Sequence, residues 1–298
     1  MATSGKYSSW MRVPCLRVNM KKRLTSVSAI LCCLLLISCT QAPQTSAPAY
    51  TGQFRSIETS FESASDFDGF YIVPSGAYDS SHNLSTEQVY DGTYAHKAWI
   101  LKSRAKNNDG FVYLPHRAYP TLQFHKLEGG VLRTPVLVSL WIYLDINLTD
   151  REKGIDDWFS PITLSSDPSD DWSRVVTVGL GPDGYMKLVH VPNHNEQEHI
   201  YQASIENDLD GKLLFSQKKW VRLDLFIDFD SENGYAKLWQ DGVLISHAKV
   251  NGGKGTLAQA HFGMYASAAV PSGIVYNDKL RIREIADETE AIFLVESD

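Results

Sequence analysis

The chain of 298 residues is acidic, with 35 Asp and Glu against 28 Lys and Arg and a formal net charge of −7. Negative charge of that size repels a phosphate backbone, which excludes a general nucleic-acid binder. The roughly 240 residues beyond the N-terminal region suffice for one large domain, and no later apolar run is long enough for a transmembrane helix.

Residues Met1 to Asn19 read as an upstream extension ahead of Met20, which is followed by a basic n-region, Lys21, Lys22 and Arg23. An apolar run from Val27 to Ile37, too short to span a bilayer, leads into Leu36-Ile37-Ser38-Cys39. This box resembles that of bacterial lipoproteins, in which the cysteine sulfur takes a diacylglyceryl group and the processed amine is acylated. The resemblance implies removal of residues 1–38, lipidation of Cys39, and a membrane-anchored protein on the extracytoplasmic side of the bacterial cell envelope. Residues 1–38 hold six Lys and Arg and no acid, so the exported chain would carry −13. Cys15, Cys32 and Cys33 would leave with the leader, so no disulfide is available to the fold. Residues 39–53, rich in Pro, Ala, Ser, Thr and Gln, predict a flexible tether. The domain is expected over 54–286, with an acidic tail at 287–298.

Beyond the tether the chain reads as strands, predicted first at 96–103, 110–115 and 120–126. From 136 to 146, Val136, Val138, Leu140, Ile142, Leu144 and Ile146 recur at period two against Trp141, Tyr143 and Asp145. Asp157-Trp158 and Asp171-Trp172 flank a Ser/Asp/Pro-rich stretch, 165–170, that predicts an exposed connection. Strands follow at 173–180, 185–191 and 198–203. Between the last two, His190, His194 and His199 straddle a loop at spacings unlike those of zinc sites. Trp220 to Phe229 alternates again, and 235–239 and 243–248 flank Asp241-Gly242, the dipeptide suited to a type I′ hairpin. The last strands are predicted at 259–266 and 274–285, and the short Ile292–Val295 run would add an edge strand or fray. No sustained helical period appears. The pattern predicts an all-β fold, a single β-sandwich jelly roll of two stacked antiparallel sheets.

Outward aromatic side chains are the first functional signal. Sugar rings stack on such faces while neighbouring polar groups bond the hydroxyls, which makes Trp141, Tyr143, Asp145, Trp239, Tyr119 and His261 candidate carbohydrate contacts. A glycosidase is disfavoured. Asp224 and Asp228 on one strand would stand about 13 Å apart, beyond the carboxylate separation of either hydrolytic mechanism.

Trp220-Val221-Arg222-Leu223, Tyr235 through Gly242, Gly263-Met264-Tyr265 and Tyr276-Asn277-Asp278 resemble the second half of concanavalin A-like jelly rolls. Within that superfamily, Gln123-Phe124-His125 and Gly263-Met264-Tyr265 resemble the Gln-X-His and Gly-X-Tyr strands of polysaccharide lyases of the alginate and heparin lyase type. The resemblance implies a catalytic set in which His125 is base or charge neutraliser, Gln123 and Arg117 hold the uronate carboxylate, and Tyr265 is the acid. It also implies a structural calcium tying first and last strands, with Glu62, Asn277 and Asp278 as candidate ligands. The expectation is therefore a lipid-anchored protein that binds polysaccharide in a jelly-roll groove, with uronate-cleaving lyase activity as the alternative and a purely structural envelope protein as a third reading.

Overall fold

The computed structural model describes residues 53–103, 114–150, 157–168, 174–193, 196–202 and 212–297. Cys39, the leader and nearly all of the tether lie outside them, as do His194, Asp171-Trp172 and most of the strand predicted at 110–115. Residues Gly52–Asp298 make one compact unit.

In chain order the first nine strands are β1 (Ser56–Thr59), β2 (Phe70–Ile72), β3 (Ser80–Ser85), β4 (Ala95–Ile100), β5 (His116–Ala118), β6 (Pro120–Leu122), β7 (Leu132–Arg133), β8 (Val136–Ile146) and β9 (Phe159–Ser165). Then come β10 (Val175–Leu180), β11 (Met186–Asn193), β12 (Glu196–Ile200), β13 (Trp220–Asp228), β14 (Tyr235–Gln240), β15 (Val243–Lys249), β16 (Thr256–Leu257), β17 (Gln259–Ala266) and β18 (Gly273–Glu284), followed by helix α1 (Glu288–Ser297). Sheet 1 runs β15-β14-β13-β8-β18-β4-β3, with β1 also on β18; sheet 2 runs β12-β11-β10-β9-β17-β6-β2, with β5 also on β17. Strands β7 and β16 pair separately. The molecule is the expected β-sandwich jelly roll. No helix among the described residues is long and apolar enough to cross a membrane.

Alternation sets the layers. Val136, Val138, Leu140, Ile142, Leu144 and Ile146 of β8 and Val221, Leu223, Leu225 and Ile227 of β13 are buried in the same core as Ile162, Leu164, Val176, Val178, Leu188, Phe262 and Met264 of sheet 2. Removing such a side chain from water contributes about 1.5–3 kcal/mol. The β14–β15 hairpin turns through Asp241 and Gly242 at φ 48° and 78°, as the dipeptide predicted.

Strand β9 was not foreseen. Pro161 lies within it although the strand is central, which is possible because the ladder is broken on both sides: pairing shifts between Val178 and Leu180 on β10 and between Phe262 and Tyr265 on β17. A bulge spares the missing N–H of proline.

The C-terminal tail also departs from expectation, forming helix α1 in place of an edge strand. Its Ala291 and Val295 pack with Leu137, Phe226, Trp239 and Ile285, a second apolar cluster on the outer face of sheet 1. Trp239 is thereby buried and cannot serve as a sugar platform. Ala291 is 0% exposed and Phe293 67% exposed. Ala291→Asp would bury an unpaired charge and should destabilise the fold by about 2–4 kcal/mol, while Phe293→Asp should shift a urea midpoint little. Equal effects would show that the helix does not dock.

Candidate functional site

On β17, Ala260, Phe262, Met264 and Ala266 belong to the core, so His261 and Tyr265 face outward from sheet 2. Between them Gly263 has φ 130°, and a Cβ there would lie 2.9 Å from the Ala118 carbonyl oxygen and 3.3 Å from Cβ of Tyr119. Glycine is required both by its backbone angle and by the approach of the neighbouring chain. The Tyr119 ring stacks on His261 at 4.0 Å and meets Tyr265 edge-on at 5.8 Å, with His261 and Tyr265 themselves 5.5 Å apart. Trp158, just ahead of β9, packs edge-on against Tyr265 at 4.8 Å.

Strand β5 supplies the cation. Register places Arg117 opposite Tyr265; its guanidinium lies 6.0 Å from the Tyr265 ring centre and 5.2 Å from that of Tyr78. The charge of Arg117 acts on the Tyr265 hydroxyl, and its buried Nε has no hydrogen-bond partner among the described residues. That leaves a donor for an anion. Burial, and then the charge of Arg117, push His261 down to about 3, so the imidazole is neutral. Burial raises the Tyr265 hydroxyl, with Arg117 pulling the other way, and burial raises Tyr119 also. The cluster thus presents one fixed positive charge, one neutral imidazole and two protonated phenols. Beside it, Ser160, Thr163 and Thr177 share a hydroxyl network, in which Ser160 is opposite Tyr265 and Thr163 opposite His261.

Of the residues the lyase resemblance singled out, Arg117 and Tyr265 meet, but Gln123 and His125 stand elsewhere. The chain leaves the strand after Leu122 and enters a 3-10 turn, Phe124–Lys126, which ends the alternation that would have carried His125 outward beside Tyr265. Gln123 donates to Gln259 at 3.3 Å, and a His125 ring nitrogen lies 3.3 Å from the Ala258 oxygen. Ala258 is seven residues from Tyr265, roughly 20 Å along an extended chain. His261 takes the place expected of His125, and the signal was present: two outward polar rings, four residues apart, flank a glycine.

The single predicted groove is divided between two faces. Trp141, Tyr143 and Asp145 lie on the outer face of sheet 1, across the sandwich from Tyr119, His261 and Tyr265. There Trp141 is already stacked by Tyr90 at 3.9 Å, Tyr143 is flanked by Trp220 and Tyr276, and Asp145 pairs with Lys218 at 3.3 Å.

The residues expected to hold calcium do not fit one cation as arranged. Asp278 accepts from the backbone N–H of Tyr90, Asp91 and Lys279, and Glu62 from those of Thr93 and Tyr94. Asn277, adjacent on β18, points to the opposite face and bonds His96 at 2.9 Å. No group of three or more His, Cys, Asp or Glu poised to hold a metal occurs among the described residues.

Asn277 ends a buried chain in which His96 meets His82 at 3.2 Å and His82 meets the Val73 oxygen at 3.3 Å. Burial pushes both histidines below their ordinary value of 6.5, His96 strongly. Since the unfolded chain takes up these protons below about 6.5 and the folded chain does not, this stabilisation is present above that pH and is lost as pH falls. Asp278, raised to about 6 chiefly by burial, acts in the opposite sense below pH 6. A variant is needed to separate them: the decline in urea midpoint attributable to histidine between pH 6.5 and 5 should be shallower in His82→Gln than in the parent chain, and parallel curves would refute the assignment.

No family model matches the chain, and no curated protein matches it. Among solved structures, an endo-beta-1,4-glucuronan lyase from the fungus Trichoderma reesei is similar with a TM-score of 0.52 and 12% identity, over 77% of this chain and 95% of that one. The cellulose induced protein Cip1 is similar at 0.51 and 13% identity, over 76% and 96%. At such identity the likeness establishes the sandwich fold.

Proposed function

We propose that this protein binds a uronate-containing polysaccharide on the outer face of sheet 2, and that Cys39 anchors it to the extracytoplasmic side of a bacterial envelope membrane. The observation that supports the binding site most directly is the guanidinium of Arg117, 6.0 Å from the Tyr265 ring centre and keeping a buried Nε donor without a partner among the described residues. A sugar carboxylate suits that donor, and the rings of Tyr119, Tyr265 and Trp158 offer faces and edges to the apolar side of a pyranose.

Cleavage by β-elimination is the second reading, favoured by a neutral His261 beside a protonated Tyr265. In that reaction the proton on the carbon bearing the carboxylate passes to His261. The electron pair it leaves forms a carbon–carbon double bond as the bond to the glycosidic oxygen breaks, and Tyr265 protonates the departing oxygen. A carboxylate bound to Arg117 would offset the charge that helps hold His261 down, so the imidazole gains basicity only when ligand is seated.

Titration of the purified protein with uronate polymers, followed by ultraviolet absorbance of the unsaturated product, tests both readings. Arg117→Ala should weaken binding at least tenfold, about 1.4 kcal/mol. Tyr265→Phe should keep binding and abolish product. Binding without product in the parent chain would leave a binder alone, and absence of binding to every uronate polymer would end the proposal. For the anchor, labelled palmitate should enter the protein in bacterial cells and fail to enter Cys39→Ala; equal labelling would exclude Cys39 as the lipid site.

A further inference from the structure

The outer face of sheet 2 holds a second aromatic and basic cluster at its far edge. Tyr185 directly precedes β11, Lys187 lies within it, Tyr201 directly follows β12, and Lys212 comes from the next described segment. The Lys187 ammonium sits 4.5 Å from the centre of the Tyr201 ring, and that of Lys212 sits 5.2 Å from the centre of Tyr185. Asp183 lies 3.8 Å from the Lys187 ammonium. Tyr201 is 60% exposed. The backbone beneath is pinned by one buried side chain: Gln202 donates to the Met186 oxygen at 2.8 Å and the Leu213 oxygen at 3.0 Å, and accepts from the Leu213 N–H at 2.8 Å. Three segments bearing two tyrosines and two lysines are thus fastened together.

Strand register aligns this cluster with the first. Arg117 is opposite Tyr265 and Tyr265 opposite Ser160. Across the shift that sets Val178 against Ile162 and Leu180 against Phe159, Gly179 falls beside Ser160 and Pro161. Gly179 is opposite Lys187, and Tyr201 follows the Ile200–Leu188 pair. Arg117, Tyr265, Gly179, Lys187 and Tyr201 therefore stand on one line perpendicular to the strands. Tyr265 and Lys187 are three strand spacings apart, roughly 14 Å. Two strand spacings from Tyr265 and one from Lys187, Gly179 has ordinary backbone angles, and a Cβ there would closely meet only Cγ2 of Val189, at 3.2 Å. Its bareness is not demanded by the chain path, and it keeps the line between the clusters low.

We infer that Tyr185, Lys187, Tyr201 and Lys212 form a distal subsite for a further uronate unit of the same polysaccharide. The inference rests on the uronate reading of the Arg117 site. Tyrosine offers the stacking face, and the ammonium groups select a carboxylate-bearing sugar over a neutral one. The ligand is accordingly a chain long enough to reach both clusters, lying across the strands.

The test is calorimetric titration of the full chain in detergent with a uronate disaccharide and with a long oligomer of the same polymer. Tyr201→Ala and Lys187→Met should each weaken the long oligomer about tenfold and leave the disaccharide unchanged, with circular dichroism matching the parent chain. Arg117→Ala should weaken both lengths. Parent-like affinity of Tyr201→Ala and Lys187→Met for the long oligomer, or equal weakening of both lengths, would overturn the distal subsite while leaving the Arg117 site standing. Binding of neither length by the parent chain would overturn the uronate reading itself.

Discussion

The dry layer between the two sheets constrains everything else in this molecule. Every second side chain of β8, β13 and β17 is committed to it, and with no cysteine among the described residues the domain depends on burial. Along these strands the alternate side chains are turned to the outer faces, and strand parity decides whether a residue of a given strand lies in the core or outside it. The Arg117–Tyr265–His261–Tyr119 cluster and the Trp141–Tyr143 row are both outward by this parity. Their separation across the sandwich follows from the sheet to which β8 and β17 belong.

Sheet 2 is irregular where its chemistry gathers. Gly263 and Pro161, on neighbouring strands, break the ladders of β17 and β9 at nearly the same level. The opening lets the Tyr119 ring lie against His261 and Tyr265, and it sets Ser160 opposite Tyr265. A regular sheet with a side chain at position 263 would drive a Cβ toward the Ala118 carbonyl. Local order is relinquished here for the assembly of three polar rings, a pattern usual at functional sites.

How far the amino-acid sequence could be read depended on whether a segment obeyed one local rule. Strands β8, β13 and β17 alternate without interruption and were readable to within a residue or two, as were the bounds of β18 and the Asp241-Gly242 turn. Strand β9 was hidden because proline argues against a central strand, and only the bulges on its neighbours, which are tertiary, remove the objection. Helix α1 was hidden because Ile292–Val295 is too short to show a period, and Trp239 waits to be covered by it. Arg117 and Tyr265 were readable as candidates, whereas His125 was misplaced because nothing in Gln123-Phe124-His125 announces a 3-10 turn.

The carboxylates of Glu62 and Asp278 hold the backbone amides of Tyr90, Asp91, Thr93 and Tyr94, a segment that belongs to no sheet. Proton exchange at those four amides is therefore governed by the release of two side chains instead of by the unzipping of a ladder. A loop between β3 and β4 is thereby tied down through two side chains while keeping a path that no strand could follow.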